Sequence, residues 1–201
     1  MSFVETSLIK AGLAPIAGVD EAGRGACAGP LVIASVILKD LGATELKGLR
    51  DSKELSEVER ESLFPIIQSQ AQAISVVIIS PEEIDQRGVH NANLDGMRRS
   101  VQNLEITPAY VLTDGYAIAG LSMPSLAIWK GDQIAPTISA ASVIAKVTRD
   151  RIMAELDLDF PGYGLAKHKG YITTAHTKAL NELGVSKIHR RSYSNIAKLL
   201  N

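Results

Sequence analysis

Apolar residues in this chain come in short aliphatic runs, followed later by longer stretches with a helical period. The runs IAGVD (16–20) and LVIASVIL (31–38) are rich in β-branched residues and flank a glycine-rich loop, which predicts two strands. Ser56-Glu57-Val58-Glu59 has the spacing of a capping box and predicts a helix start, with Pro65 expected to kink or break that helix. AISVVIIS (73–80) reads as the next strand. Ser80-Pro81-Glu82-Glu83 reads as a second capping box with proline at the first helical position. Leu94, Met97, Val101 and Leu104 lie on one helical face, and AYVLTD (109–114) and LAIWKGD (126–132) are apolar runs ending at aspartate. Small and aliphatic residues at helical spacing predict a helix over about 137–156. Another is expected from Thr173 or Thr174 to Leu183, stopped by Gly184, and a short one within 186–201. Strands first, then strands and helices mixed, then a helical end define an α/β or α+β domain around one sheet.

Composition adds limits. A chain of 201 residues, 46% hydrophobic and 21% charged, fits one soluble globular domain. No apolar run approaches the roughly 20 residues that span a bilayer, and the first residues do not read as a signal peptide. The single cysteine, Cys27, cannot form an internal disulfide, so a cytoplasmic setting is expected. Net charge is −1, but residues 161–201 hold seven Lys/Arg and one acid, against 14 basic and 21 acidic residues before them. A basic end on an acidic body suits a protein that grips phosphates at one place and cations at another, although a solvated helical face accounts for it equally well.

The chemistry lies in the acids. Asp20-Glu21, Asp114 and Asp132 each follow a strand-like run, and strand ends in α/β sheets open into crevices. Carboxylates converging there repel one another unless cations bind, and an all-oxygen donor set suits Mg²⁺ or Mn²⁺ rather than zinc. Adjacent Asp20 and Glu21 point to opposite faces in a regular strand, so both reach one site only if the chain leaves the strand there. Ala22-Gly23-Arg24-Gly25 is a suitable exit. Its bare backbone could also approach a ribose 2′-OH. Taken alone, Asp-Glu is a surface turn with two solvated acids, and Gly-Arg-Gly a tight turn.

GVDEAGRG, LRDSKELS, NANLDGM, TDG, KGD, SAASVIAKVTRDR, PGYGLAKHKGY and HRRSY occur in this order. Together they resemble the ribonuclease HII family, from about residue 16 to 194. The resemblance implies a ribonuclease H-like fold: a mixed central β-sheet flanked by helices, here with a basic C-terminal helical extension (about 161–201) on a core of about 1–160 in one catalytic domain. It also implies a metal-dependent endonuclease that cuts RNA in RNA–DNA hybrids and single ribonucleotides in duplex DNA, with roles in ribonucleotide repair and replication. Asp20, Glu21 and Asp114 fall on family carboxylates. Asp132 falls on the fourth, a role for which Asp150 in TRD competes, although Asp150 can pair with Lys146 at i,i+4. Gly23, Arg24 and Gly25 would contact the ribonucleotide and its junction. Tyr163 resembles the tyrosine that packs on the following sugar, and Lys53, Asn93 and Lys146 would bind phosphate or support the site. The residues after HRRS, Tyr193-Ser194-Asn195, depart from the common family pattern.

These assignments predict in-line attack by a metal-activated water with two ions. Asp20 and Asp114 would be shared ligands, with Glu21 and Asp132 completing the shells. The resemblance implies products with 5′-phosphate and 3′-hydroxyl ends, and a monomer is expected. His168, His176 and His189 read as phosphate contacts or surface residues. Two rival readings remain: a carboxylate nuclease of the integrase or resolvase kind that cuts DNA alone, and a non-catalytic nucleic-acid-binding subunit.

Overall fold

The computed structural model describes residues 3–49 and 52–200. Arg50 and Asp51 of the LRDSKELS motif lie outside the described residues. Five strands form one sheet: β1 (Ile16–Ala22), β2 (Leu31–Leu38), β3 (Ala71–Ile79), β4 (Tyr110–Asp114) and β5 (Ser125–Ile128). The spatial order is β3-β2-β1-β4-β5. β1 and β2 pair antiparallel, as do β2 and β3, whereas β4 runs parallel to both β1 and β5. The sheet is therefore mixed, as expected, and β1 is its central strand.

Helices cover both faces. One face meets α4 (Val89–Gln102), with Val19, Ile33 and Ile79 packed around Met97 and Val101. The other meets α2 (Glu57–Gln70) and α5 (Pro136–Asp159), with Ala34 and Val36 against Ala140 and Ile144. Burial on both sides explains why β2 is apolar at nearly every position. β3 is at the edge, and Val76 and Ile78 there are exposed although residues 76–79 are all apolar. α5 crosses β1 so closely that a Cβ at Gly18 would lie 2.1 Å from the Thr137 carbonyl carbon. That contact accounts for glycine in the middle of the strand.

α2 begins with the expected reciprocal capping box between Ser56 and Glu59. It does not break at Pro65: Leu63 and Ile67, on either side of the proline, are both buried and hold one continuous helix against its neighbours. Ser80 caps α3 (Pro81–Arg87) by accepting from the Glu83 amide. An element missed in the sequence is α1 (Phe3–Lys10). Its Glu5 is buried and accepts from the amide and hydroxyl of Thr137, at 3.1 and 2.7 Å. The α5 N-cap residue, Ala135, has no capping side chain, so Glu5 satisfies that helix terminus from far away in the chain.

The basic C-terminal part holds α6 (Leu165–His168), α7 (Thr174–Leu183) and α8 (Ser194–Leu200). Tyr163, Leu165, Leu180, Ile188 and Ile196 pack against Cys27, Ala28 and Met153, so this part closes over the chain just after the Gly-Arg-Gly loop. No helix among the described residues is long and apolar enough to cross a membrane.

Candidate metal centre and substrate cleft

Strand register brings the acids together. Val19 of β1 is level with Thr113 of β4, which sets Asp20 beside Asp114. Gly131 donates its amide to Asp114 Oδ1 at 2.7 Å, tying the short 3₁₀ turn Gly131–Gln133 to the end of β4. That turn carries Asp132. Carboxylate oxygens of Asp20, Asp114 and Asp132 all lie within 4.8 Å of one another. Asp150 is not in this group: Lys146 holds it at 2.6 Å and Arg60 at 3.6 Å.

Glu21 enters differently from the sequence expectation. The chain does not leave the strand at Asp20-Glu21; the ladder continues to Ala22, with Asp20 opposite Ala34 and Glu21 opposite Ile33. Asp20 therefore faces α5, and Glu21 faces α4. Glu21 reaches the same cleft because β4 has ended beside it. The cleft, about 340 Å³, is lined by Glu21, Lys53, Asp114, Tyr116, Trp129 and Asp132 among others. A groove of about 400 Å³ at the other end of β1, lined by Ile9, Pro15 and Leu38, gathers no such cluster.

The acids are poised for cations. Burial, then the neighbouring charges of Glu21 and Asp114, hold the Asp20 carboxyl well above the usual range. Burial and Asp114 push Glu21 up to about 7. Asn93 is fully buried beside Glu21 and favours its charge, but without a hydrogen bond of ordinary geometry. Among the described residues, Glu21 Oε2 and both polar atoms of the Asn93 amide are buried and unpartnered. The open Glu21 oxygen, beside the clustered carboxylates, is an acceptor that a cation would satisfy. Lys53 Nζ lies 3.6 Å from Asp132 Oδ2 with its side chain 73% exposed, at the edge of the cleft.

The Gly-Arg-Gly loop is shaped from behind. Gly23 has φ +92°, and a Cβ there would lie 1.8 Å from Arg149 Nε. Arg149 is fully buried and donates to the carbonyls of Ala28, Pro30 and Lys169 at 2.9–3.1 Å. Arg190, equally buried, donates to the carbonyls of Gly29 and Arg24. Among the described residues neither guanidinium meets a carboxylate at ion-pair distance; they act as carbonyl clamps, a use suited to the planar fork of arginine. The Tyr193 hydroxyl also donates to the Arg24 carbonyl, at 2.5 Å. That carbonyl is thus turned inward, while the Arg24 side chain lies over the Tyr116 ring, 4.9 Å to its centroid.

The tyrosine assignment needs correcting. Tyr163 is 8% exposed, packed among Leu165 and Leu180, and its hydroxyl donates to the Gly184 carbonyl at 2.9 Å. A ring so enclosed offers no face to a sugar. Tyr171 is 37% exposed, and its ring is the nearest group to Gly25, 4.0 Å from where a Cβ would stand. Both tyrosines belong to PGYGLAKHKGY, and the signal that separates them is the burial pattern around Leu165, invisible to motif order alone. His176 and His189 are also buried rather than surface residues.

A mixed five-stranded sheet between helix layers, with carboxylates gathered where β1 and β4 run side by side, defines a nuclease of the ribonuclease H-like class. The sequence pattern of the family described as Ribonuclease HII matches residues 17–196, and the chain belongs to that family. It is 55% identical over 197 residues to a ribonuclease HII from Mycolicibacterium gilvum, covering 98% of this chain and 78% of that one. Among solved structures, ribonuclease H2 from Pyrococcus horikoshii OT3 superposes with a TM-score of 0.80 at 30% identity, over 92% of this chain and 96% of the other. The RNase HII of a PCNA:RNase HII complex from Archaeoglobus fulgidus superposes with a TM-score of 0.76 at 27% identity, over 90% and 96%. The chain is accordingly a hydrolase, a nuclease with ribonuclease H endonuclease activity.

Proposed function

We propose that the chain cuts the RNA strand of hybrids and incises on the 5′ side of a single ribonucleotide in duplex DNA, leaving 5′-phosphate and 3′-hydroxyl ends. The observation that carries this reading is the approach of Asp20, Asp114 and Asp132 within 4.8 Å, beside a glycine loop held in shape by two buried arginines. The donor chemistry fits hard divalent cations: all-oxygen ligands, raised carboxyl pKa values and an unpartnered Glu21 oxygen. Asp20, Asp114 and Asp132, with Glu21 from across the end of β4, would hold two Mg²⁺ or Mn²⁺ ions. Bound there, such ions supply an activated water and neutralise charge on the phosphate.

The chain's own residues do the remainder. Lys53 offers a cation to a phosphate at the rim of the acidic cluster. Asn93 supports the ionised form of Glu21. Lys146 does not touch phosphate, because its ammonium is already bound to Asp150 at 2.6 Å. The Gly23–Gly25 segment faces the ribose at the junction, and the Tyr171 ring packs on the next sugar, where a 2′-OH would clash or lose its partners.

A duplex containing one ribonucleotide is the test. Nicking only at its 5′ side in Mg²⁺ supports the reading; equal cutting of an all-DNA duplex, or no cutting in either Mg²⁺ or Mn²⁺, defeats it.

A further inference from the structure

Three histidines outside the acidic cluster lie beneath the turn that presents Tyr171. His176 and His189 are each 1% exposed. The His168 ring stacks on His176 with centroids 4.3 Å apart. Their partners determine which nitrogen holds each proton. The Ser186 amide, which can only donate, lies 3.1 Å from His189 Nδ1. The proton of a neutral His189 is therefore on Nε2. That atom lies 3.1 Å from His176 Nε2, which must accept. The His176 proton is then on Nδ1, 3.0 Å from the Tyr171 carbonyl oxygen. His168 follows the same logic. It accepts from the Gly170 amide at Nδ1 (3.2 Å), so its Nε2 donates to the Tyr163 carbonyl at 2.7 Å. Burial depresses His176 and brings His189 down to about 4, in keeping with neutral rings.

The same turn is tied to the substrate loop from its other side. The amides of Cys27 and Ala28 both donate to the Gly170 carbonyl, at 3.0 and 3.3 Å. Tyr171 is thus held between the chain that follows Gly25 and a line of imidazoles ending on the Ser186 amide.

We infer that His176 and His189 are positioning residues for substrate recognition: the directed line Ser186 N–H, His189, His176, Tyr171 carbonyl fixes the ring that stands beside Gly25. The inference rests on the reading of Tyr171 as a substrate contact. Neither histidine touches substrate or the reacting atoms.

The geometry supplies a pair of isosteric variants. In His176→Asn the side-chain amide nitrogen can occupy the place of Nδ1 and keep the bond to Tyr171. In His176→Gln the amide oxygen can occupy the place of Nε2, accepting from His189, but the Tyr171 bond is lost. Each variant keeps one neutral bond and loses one, so melting temperatures should fall alike. KM and kcat are measured on the duplex with one ribonucleotide, in Mg²⁺, with Tyr171→Ala alongside. His176→Gln should raise KM by about three- to tenfold, the worth of one neutral hydrogen bond, with kcat little changed. His176→Asn should keep the parent KM. Equal KM values for the two variants, with Tyr171→Ala impaired, overturn the relay and leave the Tyr171 reading standing. An unimpaired Tyr171→Ala overturns the Tyr171 reading itself. The relay is also read directly by ¹⁵N NMR of the imidazoles: a His176 proton on Nε2 rather than Nδ1 refutes it whatever the kinetics.

Discussion

Asp20 and Glu21 are consecutive in sequence and lie on opposite faces of β1, yet both meet Asp114 and Asp132, Asp20 in the carboxylate cluster and Glu21 in the cleft those two acids line. Asp20 joins Asp114 and Asp132 on the α5 face, and Glu21 comes over the end of β4 from the α4 face. Their adjacency in sequence is therefore not a shared side. It is a way for one strand to supply carboxylates to both sides of a strand terminus.

Asp114→Asn should abolish cleavage, by at least about 100-fold if the carboxylate holds cations. The fold should survive, because the Asn oxygen can still accept from the Gly131 amide. Gel assays of hybrid cleavage beside circular dichroism and a hybrid-binding titration check this. A variant that cleaves at near the parent rate removes Asp114 from the site.

Glu21 gives a pH signature in metal-free protein. Its folded pKa of about 7 is above the ordinary 4.5 because burial and Asp114 favour the protonated form. The stability linked to this carboxyl is present below pH 4.5 and lost as pH rises through 7. In EDTA, Glu21→Gln should melt above the parent at pH 8, roughly 2–4 °C for each kcal/mol at this size, and level with it near pH 4. Added Mg²⁺ should reverse the order at pH 8. A gap independent of pH would contradict the burial-driven shift.

Arg149→Lys should destabilise the protein by about 2 kcal/mol or more, because an ammonium cannot serve three carbonyls in the plane of a guanidinium. Urea unfolding measures it. Gly23→Ala should act through the same contact, since its methyl would displace the guanidinium. Loss of stability confined to one of the two variants would mean that the loop and Arg149 are not interlocked.

Trp129 is the single tryptophan, 80% exposed on the rim of the cleft. Binding of an uncleaved hybrid in Ca²⁺ should quench its fluorescence, and Trp129→Phe should lose the signal while still binding in a gel shift. An unchanged spectrum at saturating hybrid would place the substrate elsewhere.

Tyr163→Phe removes one neutral hydrogen bond to Gly184 and should cost about 1 kcal/mol with cleavage specificity intact. Tyr171→Ala should do the converse. Melting curves and cleavage mapping of both variants decide between the two tyrosines.

Much was legible in one dimension because its causes are local. The strands at 16–22 and 31–38 follow from β-branched runs, the start of α2 from a four-residue capping box, and the stop at Gly184 from a left-handed residue with φ 78°. The acids at the ends of apolar runs were likewise visible, as was the ordered set of motifs that marks the family. What the sequence left open depends on contacts between distant segments. Glu5 caps a helix that starts 131 positions later at Pro136, so no window contains both partners. Pro65 is tolerated because Leu63 and Ile67 are buried on either side of it. Asp132 rather than Asp150 joins Asp20 because the Gly131 amide binds Asp114, while Lys146 and Arg60 hold Asp150. Tyr171 rather than Tyr163 faces the loop because the apolar neighbours of Tyr163 enclose it. The sequence by itself determined the elements and the kinds of chemistry available, since these rest on local propensity and residue type. Only the tertiary structure decided which like residues meet, because burial, register and hydrogen-bond direction are properties of segments brought together.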